Sequence, residues 1–292
     1  MSIDILQDKI RKLKNPSVVD LALAASDLPP HLMEEEGNAA KAYGRFCREI
    51  LDELKNIVPA VRVSFNAFAL LGAEGMTQLE RVLALAKEQG YYVVLEAPYV
   101  MSPMMAAATA EAAFGANAAY PCDGLIISGY AGSDVVKPYL DYVREGKKDI
   151  FVVVRTSNKS APEVQDLLTG TRLVHAAAAD LINRFGADNV GKMGYARVSV
   201  LAGASNAQSL KNLRSKYPRL FLLLDDMDYS CCNAKICCDA FDKFGHGAAV
   251  CAGPTVTAAW KLAESDGTDY LEHVKQAAER MKKNLTRYVT IL

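Results

Sequence analysis

Four carboxylates lie at or just after the carboxyl ends of predicted β-strands in this chain. Glu96 lies near the end of one strand, and Asp225, Asp226 and Asp228 lie at the end of another. Carboxylate oxygens grouped in this way can bind a hard divalent cation or a cationic ligand, and a carboxyl group can transfer protons. A structural role is the alternative for each of them, because Asp226 can point to the opposite face and an acid before a helix can cap its free amides.

Four cysteines fall within eight residues, beyond the same acidic strand end. A zinc site usually contains Cys-x-x-Cys pairs, since that turn directs both thiolates at one ion, and this spacing lacks such a pair. Reduced thiols packed around a helix are therefore favoured over a metal site. The four cysteines are Cys231, Cys232, Cys237 and Cys238, and the weak metal candidates are Asp225, Asp228, Cys231 and Cys232.

Short β-rich apolar runs alternate with helical stretches along the whole chain, which is typical of parallel βαβ units. Several of these runs are apolar at consecutive positions, as expected for strands that are covered on both faces. The predicted strands are residues 18–25, 60–66, 91–99, 124–130, 149–158, 197–205, 219–227 and 247–253.

Eight such strands predict an α/β fold with a single closed (β/α)8 TIM barrel, preceded by a short N-terminal helix. We expect one domain over residues 1–292, with a doubly wound open sheet as the alternative. In a barrel of this kind the chemistry is found at the carboxyl ends of the strands. The predicted strand ends contain no lysine, arginine or histidine. Besides the carboxylates, they contain Asn66, Thr156, Ser157 and Asn158.

Composition excludes several functional classes. Of the 292 residues 51% are hydrophobic and 23% are charged, which excludes a disordered chain. The formal net charge of −1 provides no general attraction for nucleic acid or an anionic membrane surface. There is no apolar segment typical of a signal peptide or of a membrane span, so we expect a cytoplasmic protein with no nucleic-acid or membrane partner.

Six segments, in order along the chain, resemble the orotidine 5′-phosphate decarboxylases of the longer bacterial type. The strongest likeness is in Phe-Val-Val-Val-Arg-Thr-Ser-Asn at residues 151–158, which is followed by Glu-Val-Gln-Asp-Leu at 163–167. The others are residues 15–19, 59–75, 132–139 and 201–205. The resemblance implies a (β/α)8 barrel that acts on a pyrimidine nucleotide as a homodimer without any cofactor. It also implies that Ser157 hydrogen-bonds the pyrimidine amide, although Thr156, Ser157 and Asn158 can equally cap the strand end.

The family's catalytic positions are occupied by other residue types. Its third strand ends in Asp-Ala-Lys-Arg-Gly-Asp, and the aligned residues place Glu96 at the first aspartate, Pro98 at the lysine and Met101 at the second aspartate. Neither Pro98 nor Met101 can transfer a proton. Arg62 aligns with the lysine of the second strand, and Ala22 aligns with the aspartate of the first strand. An arginine keeps the charge but is a poor proton donor.

The family's phosphate-binding groups also align with different residues. The acidic residues Asp225, Asp226 and Asp228 align with its glycine-rich loop, and Pro254 aligns with its arginine. At about 4 Å and an effective dielectric constant near 20, each like-charge contact would cost about 4 kcal/mol. We therefore expect this pocket to repel phosphate and to prefer a neutral or cationic ligand.

These observations favour a family member that does not decarboxylate orotidylate and either binds another small ligand in the strand-end pocket or serves as a non-catalytic subunit. The first alternative is orotidine 5′-phosphate decarboxylase itself, a lyase of pyrimidine biosynthesis. The second is a metal-assisted enzyme that uses the acidic cluster. The ligand-binding candidates are Arg62, Asn66, Glu96, Thr156, Ser157, Asn158, Asp225, Asp226 and Asp228.

We expect a dimer, because the apolar run from Met101 to Met105 stands where the family has a charged interface. The partner would be a second copy or an active paralogue. No cofactor is expected.

Overall fold

Eight parallel strands form a closed barrel in a computed structural model that describes residues 2–96, 100, 102–225 and 233–292. Neighbouring barrel strands are consecutive along the chain, and the last pairs with the first, where Ser17 lies beside Val250. The strands are β1 Ser17–Leu21, β2 Ala60–Ser64, β3 Tyr92–Glu96, β4 Gly124–Ser128, β5 Asp149–Arg155, β6 Val198–Gly203, β7 Leu222–Asp225 and β8 Ala248–Ala252.

This architecture confirms the predicted (β/α)8 barrel, and each of the eight predicted strands corresponds to a barrel strand. The predicted carboxyl ends were too late at several strands. The first was predicted to reach residue 25, whereas β1 ends at Leu21, and the fifth was predicted to reach residue 158, whereas β5 ends at Arg155. Sequence composition stays strand-like beyond the last inter-strand hydrogen bond, so it overestimates strand length.

The strands are buried at consecutive positions, as their apolar composition predicted. All five residues of β1, β2 and β8 are buried, because one face of each strand lines the barrel interior and the other is covered by helices. Burial of one such Val or Leu side chain contributes about 1.5 to 3 kcal/mol, so this core accounts for much of the stability of the barrel.

Helices surround the barrel, and α3 illustrates why they form. Its Phe46 and Ile50 are fully buried on one face, and the side chain of Asn38 accepts a hydrogen bond from the Lys41 amide at the start of the helix. No helix in the described ranges is long and apolar enough to cross a membrane. The helices are α1 Ser2–Leu13, α2 Pro30–Glu36, α3 Ala39–Glu53, α4 Phe65–Ala69, α5 Gly72–Glu88, α6 Pro103–Phe114, α7 Leu140–Arg144, α8 Val174–Ala187, α9 Ala207–Lys216, α10 Ala234–Cys237, α11 Pro254–Thr257, α12 Ala259–Leu262 and α13 Tyr270–Thr286.

The predicted N-terminal helix is present as α1, and it packs against the end of the barrel where the strands begin. The Asp4 carboxylate accepts hydrogen bonds from the backbone amides of Lys192 and Met193, at 3.0 and 2.8 Å. Gln7 Oε1 accepts a hydrogen bond from the Gly247 amide, just before β8, at 2.9 Å. Because α1 covers this end, the opposite end is the place to examine for a functional site.

Candidate functional site

An arginine and two aspartates meet near the carboxyl ends of the barrel strands. Asp20 of β1 lies directly beside Arg62 of β2 in the sheet register, and Asp225 is the last residue of β7. Arg62 Nη2 donates a hydrogen bond to Asp20 Oδ2, and Arg62 Nη1 donates one to Asp225 Oδ1. Asp20 and Arg62 are buried, whereas the Asp225 side chain is 17% exposed. One guanidinium therefore links two carboxylates that lie 205 positions apart in the chain.

Burial and ion pairing act in opposite directions on the pKa values of Asp20 and Arg62 in this charged triad, Asp20, Arg62 and Asp225. Burial raises the pKa of Asp20 to about 6, although the positive charge of Arg62 acts in the opposite direction. For Arg62, burial favours a lower pKa, but Asp20 and Asp225 outweigh it and hold the pKa well above its ordinary value. Arg62 is thus a permanent cation, and Asp20 is an acid that titrates close to neutral pH.

Two polar atoms of the triad have no hydrogen-bond partner within the described part of the chain. They are Asp20 Oδ1 and Arg62 Nε. An unpaired buried donor or acceptor costs about 1 to 3 kcal/mol, so an atom of this kind at a barrel mouth is a suitable contact for a ligand. The triad can therefore offer a fixed positive charge, one free acceptor and one free donor.

Asp225, expected to contribute to an acidic cluster at the end of the seventh strand, is paired with a cation. Its carboxylate binds Arg62, which offsets part of the negative charge that was expected to repel a phosphate. Glu96, at the end of β3, is half-buried and acts electrostatically on Asp20. Asp226 and Asp228 lie outside the described residues, as do Pro98 and Met101.

Sequence reasoning missed Asp20 and Arg155. The alignment directed attention to Ala22, two residues after Asp20, yet a lone aspartate in a run of buried apolar residues was itself a signal. Arg155 was missed because the predicted strand continued beyond it, so that the strand ends appeared to lack basic residues. Arg155 is the last residue of β5 and is buried.

The polar residues that follow β5 differ in how they are paired. Thr156 Oγ1 donates a hydrogen bond to Asn158 Oδ1, which satisfies both groups locally. The buried Ser157 Oγ has no partner among the described residues. It packs against Gly203 at the end of β6, where any side chain would collide with the Ser157 hydroxyl. Asn66, in contrast, lies exposed on α4, two residues beyond the end of β2.

The metal candidates are only partly within the described residues. No group of three or more His, Cys, Asp or Glu side chains suited to a metal ion occurs in ranges 2–96, 102–225 and 233–292. The Cys237 side chain is buried, and the Cys238 side chain is half-buried. Cys231 and Cys232, like Asp228, are outside the described residues, so a metal site that includes them stays a prediction.

Fold and site together define a (β/α)8 barrel with its charged groups at the carboxyl ends of the strands, the usual arrangement of barrel enzymes. No protein-family model matches the chain. The chain is 27% identical to an orotidine 5′-phosphate decarboxylase of Rhodopirellula baltica over 260 residues, which are 86% of each chain. It is 24% identical to an orotidine 5′-phosphate decarboxylase of Clostridium perfringens over 286 residues, 98% of each chain.

Solved structures show the same fold. The orotidine 5′-monophosphate decarboxylase of Plasmodium berghei matches with a TM-score of 0.75 at 14% identity, over 96% of this chain and 99% of that one. The OMP decarboxylase of Leishmania donovani matches with a TM-score of 0.72 at 21% identity, over 97% of this chain and 98% of that one. These structures show the fold, and the sequence similarities, which cover 86% to 98% of the chain, are to orotidine 5′-phosphate decarboxylases.

These relatives correct the main functional expectation from the sequence. A member unable to decarboxylate orotidylate was favoured, yet the relatives that match this chain along 98% of its length are named as decarboxylases. The earlier inference depended on residue differences at Ala22, Arg62 and Pro254 and in two loops, which follow the third and seventh strands. Of those loop positions, Asp225 is paired by Arg62, while Pro98, Met101, Asp226 and Asp228 lie outside the described residues.

Proposed function

We propose that this protein is an orotidine 5′-phosphate decarboxylase, a lyase of pyrimidine biosynthesis. The observation that carries the proposal is the similarity over 98% of the chain to relatives of that name. The charged triad supports it, because a decarboxylase needs fixed charges at the place where its substrate's charge is redistributed.

The reaction breaks the bond between the pyrimidine ring and its carboxylate carbon. Carbon dioxide leaves without the bonding electrons, and the pair stays on the ring carbon until a proton is added. Arg62 provides a permanent cation that stabilises this negative charge, and its carboxylate partners hold the guanidinium in place. Ser157, whose hydroxyl has no partner among the described residues, hydrogen-bonds the pyrimidine amide.

The proton comes from the Asp20 carboxyl in this proposal. Burial raises the pKa of Asp20 to about 6, so about half of the group is protonated at that pH and about a tenth at pH 7. Its Oδ1 atom is free of other hydrogen bonds among the described residues. Proton transfer from Asp20 leaves a carboxylate beside Arg62, which stabilises the ionised form.

Turnover of orotidine 5′-phosphate by the purified protein tests the proposal. We expect uridine 5′-monophosphate and carbon dioxide in equal amounts, with much slower turnover in Arg62→Gln. Arg144→Gln is the matched control, because Arg144 is 62% exposed and pairs with Asp141 on the surface. A wild-type protein with no turnover above the uncatalysed rate would overturn the proposal.

We also propose a cytoplasmic homodimer. Met104 and Met105 of α6 support it, because they are 79% and 52% exposed on one apolar helix start near the barrel mouth. Exposed methionines of this kind are typical of protein interfaces. Association with an active paralogue is the alternative, and size measurement of the protein purified alone separates the two.

A further inference from the structure

A second charged cluster lies beside the mouth, at the end of β5. The Arg155 guanidinium forms a two-point ion pair with Asp166, with Nε to Oδ1 at 3.1 Å and Nη2 to Oδ2 at 2.9 Å. Arg155 Nη1 also donates to the carbonyl oxygen of Thr156 at 3.0 Å. Arg155 is buried, and it holds the pKa of Asp166 below its ordinary range. The two-point geometry fixes the direction of the Asp166 side chain.

Gln165, the neighbour of Asp166, binds the first residue after β5 by two hydrogen bonds. Gln165 Oε1 accepts from the Thr156 backbone amide at 2.8 Å, and Gln165 Nε2 donates to Thr156 Oγ1 at 2.9 Å. One amide side chain therefore satisfies both the backbone and the hydroxyl of Thr156. This pairing leaves Thr156 little freedom to rotate.

The start of α8 also contacts Gln165 and Asp166, through the backbone and side chain of His175. The His175 backbone amide donates to the Gln165 carbonyl oxygen at 2.9 Å. His175 Nδ1 lies 3.0 Å from that oxygen and 3.1 Å from Asp166 Oδ1. The two residues are thus fixed both to β5 and to the helix that follows the loop.

Ser157 directly follows the residue that Gln165 binds. We infer that Gln165 and Asp166 are positioning residues, which hold Ser157 so that its unpaired hydroxyl is presented to the pyrimidine ring of the substrate. This inference rests on the proposed function. The amide and hydroxyl of Thr156 and the side-chain oxygen of Asn158 are paired within the loop, whereas Ser157 Oγ is buried without a partner in the described chain. An unsatisfied buried hydroxyl costs free energy that ligand binding recovers.

The test measures turnover of orotidine 5′-phosphate, affinity for uridine 5′-monophosphate, hydrogen exchange of the Thr156 amide and unfolding free energy. In Gln165→Ala we expect about a tenfold increase in KM and in the Kd of uridine 5′-monophosphate, with a smaller change in kcat. We also expect the Thr156 amide to exchange faster. Asp166→Asn should show the same pattern with a smaller amplitude, because it keeps the shape of the side chain but loses the ion pair with Arg155.

Two variants separate positioning from general stability. Gln165→Glu retains the acceptor for the Thr156 amide, so we expect amide protection and most of the affinity to be restored. Gln276→Ala removes an exposed amide that pairs with Glu272 on α13, and all four measurements should match those of the wild type. A loss of unfolding free energy in Gln165→Ala with unchanged KM, Kd and Thr156 exchange would overturn the inference.

The inference and the proposed function fail in different ways. An active wild type in which Gln165→Ala has unchanged KM, Kd and exchange overturns only the inference. A wild type that binds uridine 5′-monophosphate without turnover overturns the decarboxylase assignment, and the Kd and exchange measurements then decide the inference alone. A wild type that neither turns over orotidine 5′-phosphate nor binds uridine 5′-monophosphate overturns both.

Discussion

Arg62 and Asp20 face each other inside the barrel, joined by a hydrogen bond from Arg62 Nη2 to Asp20 Oδ2, and Asp225 binds the other terminal nitrogen of the same guanidinium. The two residues of this pair differ in how their charge depends on pH. Arg62 keeps its charge at any pH that the fold survives, whereas Asp20 changes its charge near pH 6.

Replacement of Asp20 tests the source of the proton. Asp20→Asn keeps the size of the side chain and an acceptor for Arg62 but cannot release a proton. We expect kcat to fall at least about 100-fold, the usual contribution of a general acid. In the wild type, kcat should fall as pH rises through about 6, because the protonated form of Asp20 is lost, and the variant should lack this step. Unchanged kcat and an unchanged pH profile in Asp20→Asn would exclude Asp20 as the donor.

Replacement of Arg62 tests how much its positive charge stabilises the folded protein. Arg62→Met leaves the buried Asp20 and the half-buried Asp225 without a cation, so we expect a loss of about 3 to 5 kcal/mol in the free energy of unfolding. Arg62→Lys keeps the positive charge, so we expect a smaller loss in the free energy of unfolding. Denaturant unfolding measures both values, and equal losses in the two variants would show that the charge does not stabilise the fold.

Asp149 should make folding stability depend on pH. It is buried at the start of β5, its Oδ2 accepts a hydrogen bond from Tyr92 at 2.6 Å, and burial raises its pKa to about 7. A pKa raised by folding means that the native state binds the proton more tightly than the unfolded chain does. The resulting stability is complete below about pH 4 and is lost as pH rises through about 7.

The variant Asp149→Asn isolates this effect. We expect a smaller loss of unfolding free energy between pH 5 and pH 8 in the variant than in the wild type, measured by denaturant titration. Asp141→Asn is the control, since that side chain is 84% exposed. The interpretation fails if wild type and Asp149→Asn lose the same amount over this interval.

The proposed dimer predicts a specific response to charge on α6. Met105→Glu should give a monomer, because burial of an unpaired carboxylate in an apolar contact is unfavourable. Met193→Glu is the control, since Met193 is 38% exposed but lies near α1 at the other end of the barrel. Sedimentation at micromolar concentration distinguishes the states, and a wild type that sediments only as a monomer contradicts the dimer.

The fold could be predicted from sequence because it depends on local periodicity. The run at residues 149–158, for example, has the consecutive apolar residues of a doubly covered strand, and β5 begins at the predicted residue. The polar end of the same run was harder to interpret. The pairing of the polar groups after β5 depends on Gln165, which binds the Thr156 amide across a loop. The periodicity of apolar residues contains no information about such a side-chain contact.

The candidate site was predicted less well, because its residues meet across long sequence separations. Arg62 and Asp225 are 163 positions apart, so their ion pair follows from the closure of the barrel. Without knowledge of that contact, Asp225 was interpreted as a free acid, and Asp20 was not identified as a candidate site residue. The alignment with the family also directed attention to Ala22, which lies two positions beyond the aspartate that pairs with Arg62.

The pairing of β1 with β8 also means that the barrel can close only after the last strand has been synthesised. Ser17 and Val250 are neighbours in the sheet, and the Lys14 ammonium donates to the Ile291 carbonyl oxygen over a separation of 277 residues. A chain emerging from the ribosome cannot complete these contacts until nearly all of it has been synthesised. Topologies with many long-range pairings fold slowly and expose apolar surface on the way. During its synthesis, this protein should therefore be a substrate for molecular chaperones.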